Sequence, residues 1–263
     1  MRKPTSEPSP TLGVPGMNEP TPTSSPAQAH SDLDQLPGAG IASRPMQIIV
    51  AADCSGSMSG AKIASLNSAL VEAFDALRGA AHENPTAHMM VRAIAFDSSA
   101  RWHIADPTSV DNLSWPQLVA GGSTDMAGAV RLLVDALDMA KMPERGLPPV
   151  LILVSDGMPH DIRAFRAEVD TLLKSAWGKK AVRVAIGIGD DAEESTLETF
   201  IANPEIPVLV ARNSADLTRY IRWATVGVSR VVSAPRSGSD HGQGVVVLPP
   251  PPPPTPAGPG DVW

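Results

Sequence analysis

Between Met46 and Val232, short apolar runs alternate with longer segments of helical period. "MQIIVAAD" is apolar almost throughout and ends in an acid, the pattern of a parallel strand buried on both faces. "AKIASLNSALVEAFDALRGA" follows, with Ile63, Leu66, Leu70, Phe74 and Leu77 at helical spacing. The same pattern predicts strands at "HMMVRAIAFD", "ARWHIA", "PPVLILVSD", "AVRVAIGIG" and "PVLVA". It predicts helices at "TDMAGAVRLLVDALDMA", which carries Ala129, Leu132, Leu133 and Leu137 on one face, at "DIRAFRAEVDTLLKSA" and at "ESTLETFIA". "SADLTRYIRWATVGVSRVV" reads as the closing helix, with Ser214 as its N-cap. Such alternation calls for an α/β fold: a doubly wound, mainly parallel sheet flanked by helices, with right-handed crossovers. Ligand sites in these sheets lie beyond the carboxyl ends of the strands, near a switch in strand order. Asp53 and Asp156 both stand at such an end.

The core has to come from this region, because little else in the 263 residues is able to supply one. Residues 1–44 are rich in Pro, Ser and Thr and nearly devoid of large apolar side chains, so they are expected to be a disordered leader. Thr5, Ser9, Thr21, Thr23 and Ser25 would make it a phosphorylation platform; the plainer expectation is low-complexity leader sequence. Residues 45–232 form the expected globular domain. Residues 233–263 are expected to be a disordered Gly/Pro-rich tail, in which six prolines from Pro249 to Pro254 form a polyproline rod. That rod is either a ligand for an aromatic groove or, as preferred here, a spacer presenting Trp263.

The net charge of −7, without a Lys/Arg cluster, argues against a nucleic-acid partner. Cys54 is the single cysteine, which excludes an intrachain disulfide and a Cys-built zinc site. Apolar runs such as "VLILV" are far too short to span a bilayer, and prolines occupy the place of a signal-peptide core, so a cytoplasmic location is the expectation.

"IIVAADCSGSMSG" places Asp53, Ser55, Ser57 and Ser59 at and just beyond the end of the first strand. A phosphate cradle would need G-x-x-x-x-G-K-[ST], but Ala61 replaces the second glycine and Ile63 the metal-binding hydroxyl, so that reading fails. "DCSGS" also resembles the opening motif of haloacid-dehalogenase-type phosphatases, with Asp53 as nucleophile and "GDDAEE" as a late acidic motif. In that reading the residue two positions on supplies a general acid, and Ser55 is a poor one near neutral pH. No lysine sits in an obvious motif ahead of the late acids, Lys179 and Lys180 being the only candidates.

The third reading absorbs more residues. "DCSGSM" after a buried strand, "GGSTDMAGAV" before a helix and "VLILVSDGMP" at a strand end together resemble the metal-ion-dependent adhesion site of von Willebrand factor type A (vWA) domains, over about Met46 to Val232. The resemblance implies a Rossmann-like fold and a metal site made of Asp53, Ser55, Ser57, Thr124 and Asp156. In it the serines and sometimes the threonine bind the ion directly, and the aspartates act largely through waters. Mg2+ suits such oxygen ligands, with Mn2+ or Ca2+ as substitutes. Neutral hydroxyls quench little of its charge, so the ion seeks a carboxylate from a partner protein. The resemblance therefore implies a binding device without catalysis of its own.

Ser123 departs from the family pattern by intervening between Gly122 and Thr124, and is a substitute ligand; Thr124 is also placed to cap the helix that follows. Cys54 is expected to point into the core, His160 to face solvent, and Asp190, Asp191, Glu193 and Glu194 to favour a helix start. Among vWA domains, "DCSGSMSGAKIASLNSAL", "GGSTDMAGAV" and "LVSDGMPHD" look most like bacterial tellurium-resistance TerY-type proteins. That branch implies a cytoplasmic adaptor working with a protein phosphatase and a Ser/Thr kinase in stress response or signalling.

Overall fold

A computed structural model describes residues 43–234 and 248–256 of the chain. The expected leader lies outside the described residues except at its last two positions, as do 235–247 and 257–263 of the expected tail.

Six strands form one sheet: β1 (Arg44–Asp53), β2 (Ala87–Phe96), β3 (Ala100–Ser109), β4 (Val150–Ser155), β5 (Val182–Ile188) and β6 (Leu209–Ala211). Their spatial order is β3-β2-β1-β4-β5-β6. Every pairing is parallel except β2 with β3, which is antiparallel. The three residues between β2 and β3 are too few for a crossover, so this pair has to be a hairpin. β3 is consequently an exposed edge; it runs on to Ser109, past the predicted end at Ala105, and carries Pro107 where an edge tolerates it.

The helices are α1 (Ala61–Glu83), α2 (Met126–Ala136), α3 (Ile162–Lys174), α4 (Glu194–Ile201), α5 (Ser214–Arg222) and α6 (Val228–Ser233). Strand alternation decides which helix each residue meets. Ile48, Val50 and Ala52 of β1, with Val150, Ile152 and Val154 of β4, pack beneath α1 and α5. Ile49 and Ala51, with Leu151 and Leu153, pack on the other face beneath α2, α3 and α4. The continuous apolar strands of the sequence are thus two interleaved half-cores. α1 buries Leu66, Leu70, Phe74 and Leu77, while Ile63 is only half-buried at its outer end.

Two helix ends differ from expectation. Asn213, in extended backbone, is the N-cap of α5 through its side chain, which accepts from the Asp216 N–H at 2.8 Å; Ser214 is already helical. The closing helix is interrupted by a π-helical stretch, Trp223–Gly227, before α6. Among the described residues no helix is long and apolar enough to cross a membrane.

Arg183 of β5 is 9% exposed and has no acidic partner among the described residues. Its guanidinium donates instead to the carbonyls of Ile201, at the last residue of α4, at 3.0 Å and of Gly178 at 2.7 Å. It therefore satisfies a helix C-terminus and the turn leading into its own strand. Arg183→Ala strands these buried carbonyls and is expected to cost about 2–4 kcal/mol. Urea unfolding of the two proteins measures this; an unchanged midpoint would show that water replaces the guanidinium.

Candidate metal centre

β1 and β2 extend to one side and β4 to β6 to the other, so the strand order switches between β1 and β4. The crevice beyond that switch is where β1 delivers Asp53 and β4 delivers Ser155 and Asp156. Asp53 is fully buried. One carboxylate oxygen accepts the Ser55 N–H at 2.7 Å, and the other accepts the Ser155 hydroxyl at 2.5 Å. The Ser155 hydroxyl oxygen accepts in turn from the Gly157 N–H at 3.2 Å.

The chain leaves β1 in a single 3-10 turn, Gly56–Met58, with Met58 buried as its anchor. Ser55 is 2% exposed and Ser57 is exposed, their hydroxyl oxygens 3.0 Å apart. The Ser57 hydroxyl donates to Asp156 Oδ1 at 2.7 Å. A hydrogen-bonded path therefore runs Asp53–Ser55–Ser57–Asp156, made of oxygens and one backbone N–H. Gly60, at φ +79°, then turns the chain into α1. From the first turn of that helix Lys62 reaches back, its Nζ 2.7 Å from Asp156 Oδ2. Asp156 is 3% exposed, so this ion pair sits largely out of water.

The glycine-rich loop forms the third wall. Its backbone is laced to the serine loop by Gly121 N–H to Cys54 carbonyl at 2.7 Å and Gly56 N–H to Gly122 carbonyl at 2.9 Å. Gly122 has φ +84°, and a Cβ there would lie 2.5 Å from Ser98 Oγ, so the position requires glycine. The Thr124 carbonyl accepts the His160 N–H at 2.9 Å, which ties this loop to the one after β4. Thr124 is thus held between the two loops by its backbone, and its hydroxyl makes no hydrogen bond among the described residues. Nor does that hydroxyl cap α2: Asp125 does, accepting the Gly128 N–H at 2.8 Å. Ser123 is exposed, with its N–H on Ser98 Oγ at 3.1 Å.

Of the five residues singled out in the sequence, Asp53, Ser55, Ser57 and Asp156 are joined by hydrogen bonds, and Thr124 lies on the loop that Gly121 and Gly122 tie to the serine loop, its own carbonyl bonded to His160. Two participants escaped the sequence reading. Ser155, one residue before Asp156, turns to Asp53 on the neighbouring strand, a contact no local sequence signal marks. Lys62 belongs to α1 and was noticed only as part of a failed phosphate motif. Cys54 faces the core as expected, with its thiol near the Ala52 carbonyl and pushed up to about 12, first by burial and then by the Asp53 charge. His160 is exposed. Glu193 precedes α4 without capping it by its side chain, and Asp190 pairs with Arg212 at 2.7 Å instead.

The Lys62 ammonium accompanies Asp156, while burial raises Asp53 above the ordinary aspartate value of 3.8, against the hydrogen bonds from Ser155 and Ser55. Among the described residues no group of three or more His, Cys, Asp or Glu is placed to hold a metal. A metal here would rely on hydroxyls beside two carboxylates, a donor set that suits a hard divalent cation. The arrangement does not support Asp53 as a phosphatase nucleophile: both its oxygens are engaged, it is sealed from solvent, and Ser55 stands where a general acid is needed. Lys62 is a lysine at the site, but it accompanies Asp156 and does not replace it.

The sequence pattern of the von Willebrand factor type A domain matches residues 47–222, and the chain belongs to that family. Domains of this family are generally metal-dependent protein-interaction modules, mostly without enzymatic activity. No curated protein matches the chain. Among solved structures it is similar to a von Willebrand factor type A protein from Catenulispora acidiphila, with 21% identity, TM-score 0.55, and 70% of this chain and 42% of that one covered. It is similar to the pilus adhesin SpaC from Lactobacillus rhamnosus GG, with 14% identity, TM-score 0.55, and 69% and 30% covered. The ArnB paralog VWA2 from Sulfolobus acidocaldarius follows, with 16% identity, TM-score 0.51, and 68% and 44% covered. The chain thus spans less than half the length of each, and the likeness is one of fold.

A buried acid whose value is raised on folding binds its proton more readily folded than unfolded. Its contribution to stability therefore falls as pH rises from 3.8 through the raised value. Asp53→Asn keeps an acceptor for Ser55 and removes the charge. In chelator near pH 7 its melting temperature is expected to be unchanged or higher by about 2–4 °C, with a flatter pH profile above 3.8. Calorimetry across pH checks this; a large drop in melting temperature would mean that the Asp53 charge holds the fold. Lys62→Met carries the opposite sign in chelator, a loss of about 1–3 kcal/mol, because it strands Asp156. It is expected to tighten Mg2+ binding by removing a competing cation, as isothermal titration would read.

Proposed function

We propose that the chain is a metal-dependent protein-binding module in which Mg2+, held by Asp53, Ser55, Ser57, Thr124 and Asp156, takes its last ligand from an aspartate or glutamate of a partner protein. One observation carries this reading. Two carboxylates are kept from water and linked through the Ser55 N–H and the Ser55 and Ser57 hydroxyls, with the Lys62 ammonium beside Asp156. When bound, the ion supplies positive charge that remains strong because hydroxyls neutralise little of it. The residues of this chain do the positioning: Ser155 and the Ser55 N–H fix Asp53, Asp53 fixes the serine loop from behind, and Gly122 lets the third loop approach.

The rim favours a protein ligand. Met158 is 58% exposed just after Asp156, and Val119 is 76% exposed just before the glycine-rich loop. Exposed apolar side chains on the loops around a charged centre suit a macromolecular contact better than a small solute.

The finer reading has a narrower base. An adaptor role of the TerY type, in a bacterial stress response or with a Ser/Thr kinase or protein phosphatase, rests on the three quoted stretches. So do the cytoplasmic location and the absence of catalysis. In this proposal residues 45–232 are the module, and 1–44 and 233–263 are flanking segments.

Thermal melting with and without Mg2+ tests the metal, and partner capture from extract tests the rest. Wild-type protein is expected to gain about 2–3 kcal/mol of apparent stability at a hundredfold excess of Mg2+ over its dissociation constant. Ser57→Ala is expected to lose most of that gain while melting normally in chelator. A partner retained only by wild type with Mg2+ would establish bridging by the ion. Equal retention in chelator, or by Ser57→Ala, sinks the mechanism.

A further inference from the structure

The proline run is anchored. Six consecutive prolines have no N–H to donate, so Pro249 to Pro254 offer only ring faces and carbonyls. At one end Leu248 packs against the core beneath α5, and the Pro249 carbonyl accepts the Trp223 indole N–H at 3.2 Å. At the other end Thr255 supplies the first N–H after the run, and it donates to Asp216 Oδ1 at 2.7 Å. Arg219 donates to the Thr255 hydroxyl at 2.6 Å. Asp216, Arg219 and Trp223 lie three and four residues apart, so they form one stripe along α5 and its π-helical continuation.

Two features mark this stripe as built for such a segment. Asp216 is 1% exposed, yet its other contacts are loose: the Asn213 amide at 3.4 Å and Arg219 at 3.8 Å. The Thr255 N–H is therefore the close partner of a buried carboxylate. At the opposite end Pro249 lies beside Gly227 and the Trp223 ring, near enough that a Cβ on Gly227 would be in ordinary contact with both, at 3.8 Å from Pro249 Cγ and 3.4 Å from the ring. The prolines then wall a 530 Å³ cleft against Gly79 and Ala80 of α1.

We propose that the Asp216–Arg219–Trp223 stripe is a proline-segment-binding groove whose resident ligand is the chain's own Leu248–Thr255. An aromatic N–H reads a proline carbonyl and a buried acid reads the first amide beyond the run, which is recognition of a preformed, low-entropy ligand. The ligand is joined to the end of α6 through residues 235–247, a short tether that holds it at an effective concentration of order millimolar. Binding that would be weak between separate molecules is then nearly complete within one. None of these residues belongs to the metal centre, so the groove stands or falls apart from it.

The run itself makes a sharp reporter. Between Pro249 and Pro256 the Thr255 amide is the only one able to exchange hydrogen. In the full-length protein it is expected to exchange at least about tenfold more slowly than in the free peptide LPPPPPPTPA. Asp216→Ala, which removes the acceptor but leaves the backbone N–H that Asn213 caps, and Trp223→Phe, which keeps a ring in place, are each expected to bring it within about twofold of the free rate, with α1 and β4 amides unaffected. The peptide added at about ten times the tether's effective concentration should displace the resident segment and speed exchange in wild type. Peptide-rate exchange in wild type overturns the proposal, as does indifference to both variants or to competitor. Protection that rises with protein concentration also overturns it, since the occupant would then be the segment of a second copy.

Discussion

Asp53 is an acid placed where an acid is costly. It ends the central strand β1 with no exposed surface, one strand away from a second buried carboxylate. Much of the local architecture answers that cost. Ser155, in register on β4, donates to one oxygen, and the turn after β1 brings the Ser55 N–H to the other. Ser57 closes onto Asp156, and Lys62 is drawn from α1 to its far oxygen. The contacts on Asp53 satisfy its oxygens without balancing its charge, and so burial still raises it. A strand end under this tension is a favourable place for a cation, because binding then relieves a cost already incurred in folding.

The fold was legible because its signals are local. Strands buried on both faces read as continuous apolar runs, and the amphipathic helices between them fix a parallel sheet. Strand ends and helix caps were less legible, because they depend on partners the sequence does not display. Asn213 outcompetes Ser214 as a cap only once the chain is extended at 213, and Asp125 takes the role open to Thr124. The antiparallel β3 follows from three linking residues, a count that was visible but unused.

At the site, the motif residues stood out in the sequence because each lies in its own recognisable setting at a strand or helix end. Ser155 and Lys62 were missed for opposite reasons. Ser155 acts across a strand pairing that only three-dimensional register reveals. Lys62 was conspicuous in sequence but was judged against a phosphate-binding pattern, where its neighbours disqualify it. The proline run shows the same limit, since composition signals an extended rod but says nothing of the acid and the tryptophan that receive it.

Lys62 also bears on how the centre would discriminate. An ammonium already paired with Asp156 means that an incoming ion has to displace or share a charge that the protein supplies itself. A monovalent ion would exchange one positive charge for another and gain little, whereas a divalent ion brings a surplus that both aspartates feel. In the proposed site the lysine would thereby set a threshold of charge for occupancy, while the serines would set the preference for a hard ion. With the ammonium released, the loop beside the ion would carry a free cation on α1, and an acidic side chain approaching the metal would meet two positive charges instead of one. The same residue that weakens metal binding would then strengthen the hold on an acidic ligand, so the two equilibria are coupled through one ion pair.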